Sequence, residues 1–448
     1  PSREPFSSGR QMNCHFSTRN VNEQGEWMEL ATTKNVASDM APTAAQMPRS
    51  LGLAYASRAF RNVEQLKAFR GLSDNGNEVC FTTIGDASTS EGHFWETMNA
   101  AAVLQVPMAV FVWDDGYGIS VPKKYQTVKA SISEALEGMR KKEGTNGLNI
   151  YKVKGWDYAG MCEAFEEGIR LARETHTPVL FHVEEITQPQ GHSTSGSHER
   201  YKSPERLEWE REWDGIKKMK EWIIENVLAT EEELDEIAEK AKEHVRESKA
   251  TAWAKFITPV KKQVTRATDL INAMANALPE QSEDLHKVAR ELSANREPLR
   301  RDVLKGINAA LNIAGNADAA FWTRDYYKEL QEENKKLYNT HLYNEGPKSA
   351  LHVQEVEAVI HSDAPLLNGF EILNRYFDEL FTINPKVLAF GEDLGFIGDV
   401  NQGFSGLQVK HGAERIFDTG IRELTIMGQG VGLALRGLRP IAEIQYLD

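Results

Sequence analysis

Basic charge is what this 448-residue chain has too little of: 52 Lys and Arg face 66 Asp and Glu, a net charge of −14. A surface with that balance repels nucleic acid and anionic membranes, so neither is expected as a partner. Long apolar runs are missing as well, with nothing near the roughly 18 uninterrupted residues of a membrane span. Cysteine is scarce: Cys14, Cys80 and Cys162 are scattered, with no C-x-x-C spacing. That argues against a disulfide framework or a zinc site and for a reducing compartment, the cytoplasm. No G-x-G-x-x-G opens the first helix and no G-x-x-x-x-G-K-[ST] occurs, so the common nucleotide-binding loops are excluded.

What is present is alternation. Over residues 1–202, apolar runs of strand length alternate with segments of helical period, the pattern of a parallel sheet flanked by helices. Strands are expected at 78–84, 107–113, 149–153 and 179–186. Before the last of these, Asp157 can cap a helix whose Met161, Phe165, Ile169 and Ala172 recur at helical spacing. From 203 to 365 the composition turns polar and charged, predicting a helical connector and linker. Thr230 and Glu233 there form a capping box ahead of a face carrying Leu234, Ile237, Ala241 and Val245. From 366 to 448 a second α/β domain begins: helix "LLNGFEILNRYFDELF", strand "KVLAFGED", Gly-rich helix "IRELTIMGQGVGLALRG", strand "RPIAEIQYLD". A sheet stopping on an interior strand leaves backbone groups unpaired, so further residues are expected beyond Asp448.

Two expected strands end in acid. "EVCFTTI" runs into "GDASTSEG", with Asp86, and "PMAVFVW" runs into "DDGYGIS", with Asp115. Ligands of parallel sheets sit outside the carboxyl ends of the strands. Two carboxylates meeting there repel unless a cation lies between them. A hard divalent ion such as Mg²⁺ takes carboxylate, carbonyl and phosphate oxygens together, and a Gly-rich turn opening a helix offers N–H groups to a phosphate. A metal–diphosphate site is one reading; helix caps and a D-D-G turn are the other.

These residues carry a resemblance. "GDASTSEGHFWETMNAAAVLQVPMAVFVWDDGYGIS" is similar to the thiamine diphosphate motif, and the order of motifs along the chain resembles the thiamine-dependent decarboxylating component of branched-chain and related 2-oxoacid dehydrogenases. "PFSSGRQMNCHFS", "SEG", "GYGIS" and "GHSTS" look like its α subunit; "FGEDLG", "IRELTIMGQGVGLALRG" and "PIAEIQY" look like the start of its β subunit. The chain thus looks like an α–β fusion truncated at both ends, with the thiamine-diphosphate-binding α/β fold. The family's N-terminal diphosphate contacts would lie before Pro1 and its β-subunit histidine after Asp448, so the chain alone is expected to be inactive.

The resemblance implies roles for matching positions. Asp86, Asp115 and the Tyr117 carbonyl would hold Mg²⁺. Gly85, Ala87, Ser90, Glu91, Gly92 and Ile119 would line the thiamine diphosphate site. His192 would handle the acyl group and His15 would sit near the substrate. Glu423 would bond N1′ of the aminopyrimidine, favouring the imino tautomer whose nitrogen deprotonates the thiazolium; burial would hold its protonation state. The Ser-rich loop Ser193–Ser203 would be mobile and close over bound cofactor. The implied activity is oxidative decarboxylation of a 2-oxoacid, branched-chain favoured and pyruvate the other candidate, with acyl transfer to the lipoyl domain of a dihydrolipoyl acyltransferase, in a homodimer of fused chains. The sequence departs from the pattern at Ala87 (glycine in the motif), Trp113 (arginine in branched-chain relatives), Asp115 (asparagine) and Thr43 (a bulky apolar residue). A transketolase-like or acetoin-cleaving enzyme, and a noncatalytic scaffold that has lost the cofactor, are the alternatives.

Overall fold

The computed structural model describes residues 17–22, 24–38, 40–192, 197–339 and 346–446. The chain divides into two compact units with boundaries at 223/224 and 344/345, inside the 203–365 segment read from composition as the connector. None of the described helices is long and apolar enough to cross a membrane.

The first unit opens with α1 (Gln46–Asn62) and continues through β1 (Cys80–Gly85), α2 (Gly92–Leu104), β2 (Met108–Trp113), a two-rung ladder of β3 (Tyr117–Gly118) with β4 (Val121–Pro122), α3 (Ile132–Ala135), β5 (Asn149–Lys154), α4 (Tyr158–Thr175), β6 (Val179–Glu184), α5 (Pro204–Glu212) and α6 (Gly215–Glu225). The main strands form one sheet in the order β1-β2-β6-β5, every pairing parallel. The four expected strands are these four. Central β6 is buried at all six positions, as a strand covered on both faces must be. Asp157 caps α4 by accepting from the Gly160 N–H at 2.9 Å. Phe165 of α4 meets Phe181 edge-on at 4.9 Å, and Phe111 stacks on Phe181 at 4.9 Å. Those rings fasten the helix to the sheet with more than area burial alone.

The helical unit comprises α7 (Glu231–Ala277), α8 (Ser282–Ala294), α9 (Arg300–Ala314) and α10 (Phe321–Asn339). The expected capping box forms: Thr230 Oγ1 accepts from Glu233 N–H at 3.3 Å, and Glu233 Oε2 accepts from Thr230 N–H at 2.8 Å. Only the second half of α7 carries buried residues, from Ile257 to Ala275. That half packs with α8, α9 and α10 around Val260, Ala267, Leu292, Val303, Ile307 and Leu330.

The chain then re-enters the first unit through α11 (Gly369–Ile383), β7 (Val387–Gly391), α12 (Leu407–His411), β8 (Ile416–Asp418), α13 (Glu423–Leu435) and β9 (Arg439–Ala442). A second parallel sheet results, ordered β8-β7-β9. The two sheets share one apolar core, in which Met47, Leu51 and Tyr55 of α1 meet Phe417, Ile426 and Leu433. α1 and α13 cross closely because glycine faces glycine. A methyl group on Gly52 would overlap the Gln429 carbonyl, one on Gly428 would overlap Pro48, and one on Gly432 would overlap the Arg49 carbonyl. Arg58 adds a two-pronged ion pair to Glu414, its Nε donating to Oε2 at 2.9 Å and its Nη2 to Oε1 at 2.6 Å.

Candidate functional site

β1 ends at Gly85, paired in register with Trp113 of β2. Asp86 and Asp114 therefore follow on neighbouring strands at the carboxyl edge of the sheet, with Asp115 next to Asp114. Asp86 N–H donates to the Trp113 carbonyl at 3.1 Å. The chain then turns into a 3₁₀ segment, Ala87–Ser90, that leads to the N-terminus of α2. Ala87 is not among the residues with positive φ, so the backbone here does not require the motif's glycine. Thr89 ties the turn, its Oγ1 donating to the Asp86 carbonyl at 2.6 Å. Ser90, Glu91 and Gly92 are exposed at the mouth of α2, and no side chain caps that helix.

The acids are crowded. Burial, then the charges of Asp114 and Asp115, push the Asp86 carboxyl up to about 7. Asp115 is also raised, chiefly by burial. Asp114 goes the other way: despite burial, His182 and Lys123 hold it below the usual carboxylate range. Lys123 Nζ donates to Asp114 Oδ2 at 2.7 Å, and His182 Nε2 lies 2.9 Å from the same oxygen. His182 Nδ1 is 2.8 Å from Ser133 Oγ. Two oxygens remain, Asp86 Oδ2 and Asp114 Oδ1, both buried and without a hydrogen-bond partner. A buried unpaired carboxylate oxygen is costly, and a divalent cation is the chemistry that answers it. Hard carboxylate oxygens of this kind are the donors that Mg²⁺ takes.

A second grouping, Asp114, His182 and Glu184, brings its ligand atoms within 4.8 Å of one another. Lysines already neutralise it: Lys123 serves Asp114, while Lys152 and Lys154 reach Glu184 at 3.1 and 3.3 Å. It reads as a charge-paired network beneath the site.

Asp115 sits in a turn of its own. Its Oδ1 accepts from Tyr117 N–H at 3.0 Å, and its carbonyl accepts from Arg206 Nη2 of α5 at 2.9 Å. Arg206 Nε donates to Glu210 at 2.8 Å, and buried Lys202 reaches the same carboxylate at 2.7 Å. Gly116 between them needs its φ of +86°. Ile119 also has positive φ, +59°, a strained state for a β-branched side chain. Beside these acids an open cleft of about 260 Å³ is lined by Met40, Thr43, Gln46, Gly85, Ser88 and Trp113. Trp113, where the branched-chain pattern has arginine, stacks on Phe111 at 6.1 Å and offers the cleft an aromatic wall.

Gly85, Asp86, Ala87, Ser90, Glu91, Gly92, Asp115, Tyr117 and Ile119 are thus gathered around one end of one sheet. His192 is exposed on the loop after β6. His15 lies outside the described residues, as do 193–196 of the Ser-rich loop. The rest of that loop is held: Ser203 Oγ caps α5 by accepting from Arg206 N–H at 3.2 Å. Glu423, expected to be buried, is exposed. The reason is helical phase: α13 turns Thr425, Ile426, Gln429 and Leu433 inward and leaves Glu423, Leu424, Met427 and Val431 outside. Burial, and after it the charge of Glu423, raises the carboxyl of Glu392, just after β7. Sequence reasoning missed Asp114, Lys123, His182 and Arg206. The signal for His182 was legible, a histidine inside the apolar run "VLFHVE" that must find a partner once buried.

The model of the dehydrogenase E1 component family matches residues 7–261, and that of the transketolase pyrimidine-binding domain matches 367–448. Over 204 residues the chain is 28% identical to the pyruvate dehydrogenase E1 component subunit alpha of Rickettsia bellii, covering 46% of this chain and 56% of that one. Over 278 residues it is 28% identical to the mitochondrial 2-oxoisovalerate dehydrogenase subunit alpha of Caenorhabditis elegans, covering 62% and 54%. Over 81 residues it is 46% identical to the pyruvate dehydrogenase E1 component subunit beta of Acholeplasma laidlawii, covering 18% of this chain and 25% of that one. The chain spans about half the length of the α-subunit relatives it matches.

Proposed function

We propose that this chain, which belongs to the dehydrogenase E1 component family and has an α-like part followed by the start of a β-like part, serves the oxidative decarboxylation of a 2-oxoacid with thiamine diphosphate and Mg²⁺. The observation that carries this is the pairing of buried, unpartnered Asp86 Oδ2 at the end of β1 with a pyrimidine-binding domain in the same polypeptide. A branched-chain 2-oxoacid is favoured, with pyruvate the other candidate, and the acyl group passes to the lipoyl domain of an acyltransferase. When bound, the cofactor supplies the electron sink for loss of CO₂.

The chain's own residues do the rest. Asp86, Asp115 and the Tyr117 carbonyl would hold the cation, and the N-terminus of α2 would serve the diphosphate. Arg206, through the Asp115 carbonyl, fixes the turn that presents Tyr117. Glu423 would hold a proton at the pyrimidine N1′ position, and His192 and His15 would serve the acyl and substrate ends. Because α13 leaves Glu423 and its apolar neighbours exposed, the assembly favoured is a dimer of fused chains whose second copy covers this face. The compartment proposed is the cytoplasm.

Calorimetric titration of the full-length protein with thiamine diphosphate and Mg²⁺ tests the cofactor, and steady-state assays with branched 2-oxoacids, pyruvate, acetoin and ketose phosphates test the substrate. Glu423→Gln is expected to keep cofactor affinity and lose most turnover. No heat of binding would overturn the reading in favour of a noncatalytic scaffold, and activity confined to ketose phosphates would favour the transketolase-like alternative.

A further inference from the structure

The family motif places its cation on Asp86, Asp115 and Tyr117, and leaves Asp114 without a role. The geometry points to one: we infer that Asp114 is itself a ligand of the divalent cation, through the Oδ1 oxygen that its other partners leave free. This rests on the proposed metal–diphosphate site. Asp114 and Asp86 are the first residues past the paired ends of β1 and β2, on adjacent strands. Their side chains are 2% and 6% exposed, and each keeps one oxygen buried and unpartnered. Asp115 differs, since its Oδ1 already accepts from its own turn.

The surroundings of Asp114 suit a ligand that must be aimed. Oδ2 is held from two sides, by Lys123 at 2.7 Å and by His182 at 2.9 Å, and His182 is anchored in turn by Ser133 at 2.8 Å. A carboxylate gripped at one oxygen presents the other in a fixed direction, as the supporting partners of metal ligands do. Lys123 also offsets the added negative charge. Without a cation, two buried carboxylates side by side would repel.

The test is Mn²⁺ binding by the full chain, followed by electron paramagnetic resonance of the free ion and by the Mn²⁺-induced rise in melting temperature, both without cofactor. Asp114→Asn is expected to weaken Mn²⁺ about tenfold or more and to abolish the melting shift. If unpaired Lys123 prevents Asp114→Asn from folding, the double variant Asp114→Asn with Lys123→Met removes both charges and is read in the same way. Unchanged Mn²⁺ affinity in a folded Asp114 variant, or no Mn²⁺ binding by the unmodified chain, overturns the inference. The two proposals separate cleanly. If thiamine diphosphate binds with Mg²⁺ while Asp114→Asn is silent, the inference fails and the function stands. Asp114-dependent Mn²⁺ binding without thiamine diphosphate binding upholds the inference and sinks the function.

Discussion

Replacing Gly432 by alanine tests whether the crossing of α1 and α13 holds the two sheets as one unit. The added methyl would fall inside the Arg49 carbonyl oxygen and close to the Leu53 backbone nitrogen. Both are backbone atoms of α1, so neither can swing aside and the helices must separate. Overpacking of a tight core costs about 1–3 kcal/mol. Alanine returns about 1 kcal/mol of helix propensity relative to glycine, which leaves a net loss of roughly 1–2 kcal/mol if the upper half of that range applies. The loss should appear in urea unfolding as a lower midpoint at unchanged slope, because the surface exposed on unfolding stays the same. It should also loosen Tyr55 against Phe417, whose rings lie 4.8 Å apart in the shared core. A Gly432→Ala protein as stable as the unmodified one, or more so, would refute the argument that glycine is needed for this approach.

Two further expectations concern single positions. Burial, then the charge of Arg61, pushes the His176 imidazole down to about 4, so its neutral form is the one the fold accepts. Because the folded value lies below the unfolded one of about 6.5, this contribution is fully present above pH 6.5 and is lost as pH falls towards 4; the difference corresponds to about 3 kcal/mol. Stability measured from pH 7 to 4 should drop less in His176→Asn, which tolerates the residue's positive φ of 56°; an identical drop would remove His176 as the cause. At Ile119, 61% exposed with a φ of +59°, glycine should relieve about 1 kcal/mol of strain and raise the melting temperature. A lower melting temperature for Ile119→Gly would mean that the side chain makes contacts worth more than the strain.

How far the molecule could be read from its residues depended on whether the signal was local. Periodicity located all four strands of the first sheet, because a strand buried on both faces is a continuous apolar run, as in "MAVFVW" and "VLFHVE". Capping chemistry located the starts of α4 and α7, because Asp157 and Thr230 act within three residues. The acid at the end of "EVCFTTI" was likewise local, and it marked Asp86. Asp114 was passed over because sequence cannot tell which of two adjacent aspartates turns inward; the register of β1 against β2 decides that. His182 and Ser133 are 49 residues apart, a pairing no local pattern carries.

The sequence by itself determined the alternation of strands and helices, the two acidic strand ends and the order of motifs that identifies the family, since each is written within a span of a few turns or as a string of such spans. Tertiary structure alone decided three things: that α1 serves both sheets, that α13 turns its glycine face inward and Glu423 outward, and that Lys123 and His182 converge on Asp114 while Arg206 reaches the Asp115 carbonyl. These depend on which distant surfaces meet, and burial and charge act across space with no regard for separation along the chain.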